Sequence, residues 1–258
     1  MEIYFVIGGL SLITAFLSGL LGIGGGIILG PLLLYVPPVF GLEPLCMRDV
    51  AGLTIVQGLL ACMGGVLVHR KFQFVSGKLS LYMGTTIFFA AGVGGAASGF
   101  IANEILLFIF ACLAFAAALL MIKPVRDDSE KPNAARIHFK WTRAVSVASC
   151  VGLLGGMVGQ GGSFILIPLM RSYVNIPTRI AIGSNLAIVM LSSMAAFISK
   201  AATGQIQWLM TIPIIFTVIP FAAFGGYVSS KVSVVWLRRI LASLIAVSAL
   251  WMWFSLLC

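Results

Sequence analysis

Two glycine-rich runs contain the residue types in this chain that are best suited to binding a ligand. The first extends from Gly19 to Pro31 and the second from Gly156 to Pro168, so equivalent residues lie 137 positions apart. Glycine tolerates positive φ and lets the backbone approach a ligand closely. A helix that restarts after such a break begins with about four unpaired N–H groups and a partial positive charge, which together bind an anion. The predicted anion-binding backbone comprises Gly24, Gly25, Gly26, Gly161, Gly162 and Ser163.

A stripe of small residues that packs two helices, as in Gly-x-x-x-Gly motifs, is the alternative interpretation of such runs. It suits Gly95 to Gly99. It suits Gly22 to Gly26 poorly, because packing calls for small residues at alternate positions and not for a consecutive triplet. Pro31 and Pro168 favour helix starts, since a proline near the first turn gives up a donor that had no partner.

Uncharged polar side chains cluster beside both runs. Gln160 lies within the second run, and Thr54, Gln57, Ser184 and Asn185 lie about one turn inside the apolar segments that follow. Amides are costly to hide at membrane depth, so we expect these residues to complete the binding shell. For Thr54 and Ser184 a bond back to their own helix carbonyls is an equally good interpretation.

The basic residues give a second, weaker signal. Arg48 and Arg179 occupy matching positions at the mouths of two apolar segments, where they are either interfacial anchors or entry groups for an anion, one on each side. His69 and His138 fall in basic loops and are expected to be solvated. The five cysteines form no Cys-x-x-Cys pair and have no neighbouring histidine at ligand spacing, so neither a metal nor another cofactor is expected.

The acidic residues define what kind of coupling to expect. All seven fall in loops or at the ends of apolar segments: Glu2, Glu43, Asp49, Glu104, Asp127, Asp128 and Glu130. Coupling to protons or sodium through a buried carboxylate is therefore not expected, and coupling would use a protonatable substrate or none. An integral-membrane enzyme would need a catalytic group at depth, so it is the weakest functional class, together with a scaffold.

The composition indicates an all-α, polytopic membrane protein. Hydrophobic residues make up 60% of the chain and charged residues 9%, with apolar stretches of twenty residues or more. The start of the chain has neither a basic region nor a cleavage site, so its first apolar segment is expected to stay uncleaved. The net charge of +9 is attributed to basic cytoplasmic loops, which the positive-inside rule predicts for a protein in a lipid bilayer, and not to a nucleic-acid partner.

The two runs divide the chain into two homologous halves. Residues 1–122 contain a broken segment, 4–35, followed by spans at 50–68, 79–100 and 105–122. A basic linker, 123–141, leads to residues 142–258, with a broken segment at 142–173 and spans at 181–199, 208–229 and 236–257. As one straight helix a 32-residue segment would reach about 48 Å, against about 30 Å of hydrocarbon. Each broken segment is therefore a kinked crossing or a re-entrant hairpin.

The positive-inside rule favours the hairpin. With hairpins, 14 of the 16 Lys and Arg residues fall on one side of the membrane, whereas kinked crossings give a division of 10 to 6. Hairpins also make the halves inverted repeats, with the linker cytoplasmic and both termini external. The two glycine-rich tips would then approach the midplane from opposite faces, as in transporter binding sites.

The motifs as a whole resemble the TauE/SafE family of sulfite and organosulfur exporters, over nearly the whole chain. The resemblance rests on the two runs and on the small-residue entry to the next span, Ala51-Gly52-Leu53-Thr54 and Ile182-Gly183-Ser184-Asn185. The chain departs from the usual Thr-Ser of that motif in both copies. The resemblance implies a secondary transporter in the cell membrane that moves a small sulfur-containing anion by alternating access. An anion channel of the same fold is the alternative.

Overall fold

The computed structural model describes residues 2–122, 137, 139–159 and 162–257, without the side chains of residues 121, 122, 252 and 255–257. These residues form helices and no strands, which confirms the all-α prediction. The first half contains α1 (Glu2–Leu21), α2 (Gly26–Val39), α3 (Met47–Lys71), α4 (Gly77–Ala97), a short 3-10 turn (Ser98–Phe100) and α5 (Asn103–Ile122). The second half contains α6 (Trp141–Met157), α7 (Ser163–Ser172), α8 (Thr178–Ala202), α9 (Trp208–Lys231) and α10 (Val234–Leu257).

Both broken segments turn back on themselves. A Cβ placed on Gly25 would lie 3.2 Å from the Thr14 carbonyl oxygen and 3.3 Å from the Ser18 Cβ, so the chain has turned back alongside α1 by residue 25. A Cβ on Gly162 would meet the carbonyl oxygen of Val151, the residue equivalent to Thr14, at 2.7 Å. We call α1 with α2 hairpin 1 and α6 with α7 hairpin 2.

The open end of hairpin 2 gives a further sign of this reversal. The Arg143 guanidinium, near the start of α6, donates to the Tyr173 carbonyl, just after the end of α7, at 3.2 Å. Its carbon also lies 5.1 Å from the centroid of the Tyr173 ring. The beginning of α6 and the end of α7 therefore lie at the same end of the hairpin.

The helices pack in a pattern that is unchanged when the two halves are exchanged. Helix α1 packs on α9 and its equivalent α6 packs on α4, while α3 packs on α9 and α8 packs on α4. The contacts of α3 with α8 and of α5 with α10 each join two equivalent helices, so exchanging the halves leaves these pairs unchanged. This correspondence indicates a pseudo-two-fold relation between the halves.

Glycine permits the closest of these helix contacts. A Cβ on Gly94 would lie 2.0 Å from the Leu153 carbonyl oxygen, and a Cβ on Gly225 would lie 2.0 Å from the Phe16 carbonyl oxygen. These two contacts are equivalent in the two halves. The hairpins are thus held against the opposite half by backbone-to-backbone contact.

Helices α3 and α8 form the centre of the molecule. Their most apolar windows are 78% and 72% buried, against 28–39% for the other candidate spans. Large apolar side chains cover the outside, including Phe5, Phe100 and Phe216. Within the described ranges, seven helices are long and apolar enough to cross a membrane: α1, α3, α4 with its 3-10 turn, α5, α8, α9 and α10. Helices α2 and α7 are apolar and shorter, as expected for the returning arms of two hairpins.

Candidate functional site

The turn of hairpin 1, tip 1 (residues 22–25), contacts the start of the returning helix of hairpin 2. We call the turn of hairpin 2 tip 2 (residues 159–162), of which residues 159 and 162 are described. The Ser163 hydroxyl, at the start of α7, donates to the Ile23 carbonyl of tip 1. The Asn185 amide of α8 donates to the Gly22 carbonyl and, at 3.1 Å, to the Ser163 carbonyl. Tip 1 is therefore joined to the start of α7 by two buried polar side chains.

Thr54 of α3 forms a hydrogen bond to tip 2, as Asn185 of α8 does to tip 1. Its hydroxyl lies 3.1 Å from the Gly159 carbonyl oxygen, and Gly159 is the equivalent of Gly22. The same hydroxyl lies 2.8 Å from the Val50 carbonyl of its own helix, so the local bond and the bond to the tip share one hydroxyl. Each central helix thus holds the tip of the opposite hairpin.

The tips have matching backbone conformations that require glycine. Gly22 and Gly159 have φ of 71° and 75°, and Gly25 and Gly162 have φ of 76° and 71°. A Cβ on Gly159 would lie 2.1 Å from the Ala51 carbonyl oxygen. The last glycine of each tip is the N-cap of the returning helix. Two helix starts, with their partial positive charge, therefore lie at the contact between the tips.

Most of the residues predicted to bind a substrate converge on this contact. Those with a contact there are Gly24, Gly25, Thr54, Gln57, Gly162, Ser163 and Asn185. Gly26 is the buried first residue of α2, next to Gly25. Gln160 and Gly161 lie outside the described residues. Ser184 lies on α8 beside Asn185, where its hydroxyl accepts a bond from the Ser76 backbone N–H at 2.9 Å. In this conformation Ser184 fixes the start of α4, and its part in binding stays a prediction.

Tip 1 is surrounded by polar side chains that sequence reasoning mostly missed. Ser11, Thr14 and Ser18 form one face of α1, and all three are fully buried. The Gln57 amide donates to the Thr14 hydroxyl at 2.6 Å. A Cβ placed on Gly25 would lie 2.7 Å from that same amide nitrogen. The spacing of three and four residues along α1 is the signal that could have revealed this face.

The second central helix adds one more hydroxyl to this side. Ser193 of α8 is fully buried. A Cβ placed on Gly58 would lie 3.4 Å from the Ser193 hydroxyl oxygen and 3.6 Å from the Gly24 carbonyl oxygen. Ser193 therefore lies beside tip 1.

Tip 2 has no such surroundings among the described residues. The residues equivalent to Ser11, Thr14, Ser18, Gln57 and Ser193 are Ala148, Val151, Gly155, Ile188 and Cys62. All of these are buried. These five places are therefore polar around tip 1 and apolar or glycine around tip 2, where the Thr54 hydroxyl is the polar contact that the described residues show.

Arg48 and Arg179 lie at matching places, the beginnings of α3 and α8. Arg48 donates to the Ile101 carbonyl at 3.3 Å, and Arg179 donates to the equivalent Val232 carbonyl at 3.0 Å. The Arg179 guanidinium also lies 5.2 Å from the Phe74 ring centroid. These contacts tie each arginine to a neighbouring helix end, and the entry role stays a prediction.

Two further basic residues, at equivalent positions near the ends of α3 and α8, are buried. His69 is 2% exposed, with its Nε2 3.2 Å from the Gly19 carbonyl oxygen, so the expectation that it is solvated was wrong. It fails because α3 continues to Lys71 and keeps His69 inside the helix bundle. Lys200, one residue beyond the predicted span 181–199, is fully buried because α8 continues to Ala202. His138 lies outside the described residues.

Lys200 makes bonds only to uncharged groups among the described residues. Its ammonium donates to the Ser98 hydroxyl at 2.6 Å, to the Gln205 side-chain carbonyl at 3.1 Å and to the Met157 carbonyl at 3.4 Å. These bonds link the end of α8 to the 3-10 turn and to the end of α6. Over the same described ranges, no three His, Cys, Asp or Glu side chains are grouped closely enough to hold a metal ion.

The chain is similar to known proteins over nearly its whole length. The model of the family described as sulfite exporter TauE/SafE matches residues 7–252. A probable membrane transporter protein of Bacillus subtilis, YunE, is 24% identical over 245 residues, which cover 87% of this chain and 86% of that protein. A probable membrane transporter protein of Haemophilus influenzae is 28% identical over 200 residues, covering 74% of this chain and 71% of that protein. No solved structure matches the chain.

Proposed function

Since this chain belongs to the sulfite exporter TauE/SafE family, we propose that it is a secondary transporter that moves a small sulfur-containing anion across the cell membrane. The family and the similar proteins are membrane transporters and not enzymes, and the apolar helices make the chain a multi-pass membrane protein. Sulfite, sulfoacetate and related sulfonates are the proposed substrates. All are small anions that backbone N–H groups and hydroxyls bind well.

One observation carries the proposal: two helix starts capped by left-handed glycines meet at a buried point that polar side chains surround. The Ser163 hydroxyl and the Asn185 amide bond to carbonyls of tip 1, and the Thr54 hydroxyl bonds to tip 2. These contacts close the site. When the tips separate, the same donors and the N–H groups of the two helix starts become available to an anion.

Alternating access follows from the pairing of the halves. Each hairpin packs against helices of the opposite half, and tip 1 contacts the start of α7, so rocking of one half against the other opens this contact from one side at a time. In the proposed topology the hairpins enter from opposite faces, residues 123–141 are cytoplasmic and both termini are external. The excess of basic residues in the linker supports that orientation.

Sulfite uptake into proteoliposomes tests the function and the site together. We expect Gly25→Val and Gly162→Val each to reduce uptake at least tenfold, because a side chain at either position would press against the first helix of its own hairpin and displace the tip. Gly41→Val is the matched control, since Gly41 has a similar φ of 73° and no atom within 4 Å of its Cβ position. Full uptake by both tip variants would contradict the site.

A milder variant covers the case in which the valine variants do not fold. Ser163→Ala removes one donor at the contact, and a hydrogen bond to a charged group is worth about 1.5 to 3 kcal/mol, so uptake should fall about tenfold or more.

Counterflow separates the proposed transporter from a channel of the same fold. Saturable exchange driven by trapped substrate is expected, whereas an ohmic current would identify a channel.

A further inference from the structure

Four of the buried polar atoms that have no hydrogen-bond partner among the described residues belong to side chains next to residues 22–25. They are the Ser18 and Ser193 hydroxyl oxygens and the side-chain carbonyl oxygens of Gln57 and Asn185. All four residues are fully buried. Unpaired polar groups of this kind are expensive inside a protein, and their concentration at one place points to a ligand.

These four atoms adjoin the same few residues of backbone. Gln57 and Ser18 flank Gly25, since a Cβ there would lie 2.7 Å from the Gln57 amide nitrogen and 3.3 Å from the Ser18 Cβ. Ser193 flanks Gly58 next to the Gly24 carbonyl. Asn185 bonds to the Gly22 carbonyl. The unpaired atoms therefore surround residues 22–25.

The hydrogen-bond network assigns the two amides. The Asn185 nitrogen faces two carbonyl oxygens, so its other atom is the oxygen and can only accept. The Gln57 nitrogen donates to the Thr14 hydroxyl, whose own proton goes to the Leu10 carbonyl at 2.8 Å. The Gln57 oxygen therefore also accepts. The site offers two acceptors beside the donors of Ser18, Ser193 and the start of α2.

A fully deprotonated anion would satisfy the donors and repel the two amide oxygens. A ligand that carries one negative charge and one hydrogen-bond donor satisfies both sets. The side chains that surround tip 1 are uncharged, so the start of α2 supplies the favourable electrostatic contribution, which is that of about half a charge. That partial charge suits a monoanion better than a dianion.

We propose that the substrate binds off the pseudo-two-fold axis, at tip 1, as a small sulfur monoanion that bears one hydrogen-bond donor, such as hydrogensulfite. The proposal rests on the transport function proposed above and specifies its ligand. The Asn185 and Gln57 oxygens accept the ligand's proton-bearing group, and Ser18, Ser193 and the helix start donate to its oxygens. At tip 2 the positions equivalent to Ser18, Ser193 and Gln57 are Gly155, Cys62 and Ile188, and Thr54, the equivalent of Asn185, has no side-chain carbonyl, so the two amide acceptors exist only at tip 1 among the described residues.

This site has a consequence for coupling. A monoanion that keeps its proton carries that proton across the membrane without transferring it to the protein. Transport of hydrogensulfite is then equivalent to cotransport of sulfite with one proton, and no buried carboxylate is required. Uptake of total sulfite should therefore rise as the external pH falls.

A matched ligand pair tests the proposal in the purified full-length protein. Ethanesulfonate and 2-hydroxyethanesulfonate have the same charge and similar size, and only the second has a donor. We expect calorimetry to show binding of the hydroxylated compound at least tenfold tighter, because a site with unpaired acceptors discriminates against the analogue that lacks the donor. Equal affinity for the two compounds would overturn the proposal.

Matched variants locate the effect at tip 1. Gln57→Leu should reduce the affinity ratio to nearly one, whereas Ile188→Leu, the same replacement at the equivalent position of tip 2, should leave it unchanged. Loss of the ratio in both variants would contradict binding at tip 1. Saturable sulfite uptake with no preference within the ligand pair would overturn only this inference. Failure to bind or transport any of these anions would overturn the proposed function as well.

Discussion

The two hairpin tips have one backbone design and two chemistries. Both turn through glycines at φ of about 70° to 76°, and both receive a hydrogen bond from the central helix of the opposite half. Serine, threonine and glutamine side chains surround tip 1, whereas alanine, valine and isoleucine occupy the same places at tip 2. Duplication thus preserved the backbone geometry that helix packing requires, while the side chains facing each tip diverged.

The two buried basic residues also show different side chains at equivalent positions of the two halves. His69 and Lys200 occupy equivalent positions on α3 and α8. Each contacts a carbonyl near the end of the first helix of the hairpin in the same half, α1 for His69 and α6 for Lys200. One is a side chain that titrates near neutral pH in water and the other an ammonium. The symmetric scaffold again holds two different groups at matching places.

The largest effect should come from adding a methyl group at the shared turn. Gly159→Ala would strain a positive φ and bring its Cβ to 2.1 Å from the Ala51 carbonyl oxygen, and Gly22→Ala would bring its Cβ to 2.7 Å from the Ile182 carbonyl oxygen. Each should lower the free energy of unfolding in detergent by about 2 to 5 kcal/mol, the sum of backbone strain and overpacking.

A control separates the backbone strain from the close contact. Gly41→Ala has the same kind of φ, 73°, and open space at its Cβ position, so it should cost only about 1 to 2 kcal/mol. If Gly22→Ala costs no more than Gly41→Ala, the tip is not tightly held and the shared design is wrong.

The next largest effect compares the two side chains that hold the tips. Asn185→Leu removes the donor to two buried carbonyls and should cost about 2 to 3 kcal/mol in unfolding free energy. Thr54→Val removes one bond to the Gly159 carbonyl and keeps the volume, so it should cost about 1 kcal/mol. A double variant whose cost is far from the sum would indicate that the tips are coupled through their contact.

The smallest effect concerns a contact that only hairpin 2 makes. Arg143 bonds to the Tyr173 carbonyl and lies over its ring, while the equivalent residues of hairpin 1 are Val6 and Val36. Arg143→Gln should reduce the unfolding free energy by about 0.5 to 1 kcal/mol, as expected for a half-exposed cation–π pair. Loss of the α6–α7 hairpin in that variant, seen by cysteine cross-linking between its open ends, would show that we have underestimated this contact.

Several features were predictable from the sequence because they depend on local chemistry. Several glycines within four or five residues have a low helix propensity, so a break within each glycine-rich run was expected from residue type. The constant offset between the runs predicted that both tips would share one geometry. Thr54 and Asn185 were singled out because polar groups at membrane depth need partners, and each bonds to a tip carbonyl, while their part in substrate binding stays a prediction.

Other features depend on where helices end and on how they pack. Residues 69 and 200 read as loop positions because charged side chains are normally excluded from apolar helices, and only the packed ends of α3 and α8 bury them. Ser11, Thr14 and Ser18 are ordinary membrane-helix residues by type. They become part of a site because hairpin 1 folds back and brings Gly25 against them.

The sequence by itself determined that this is a duplicated, all-helical membrane protein with two glycine turns, since composition, repetition and backbone preference are properties of the chain. Only the tertiary structure decided that the turns meet and that polar side chains gather at one of them. That arrangement depends on contacts between residues more than a hundred positions apart, such as Ser163 with Ile23 and Asn185 with Gly22. Such contacts cannot be predicted from local sequence, because they form only when α3 and α8 pack at the centre of the bundle.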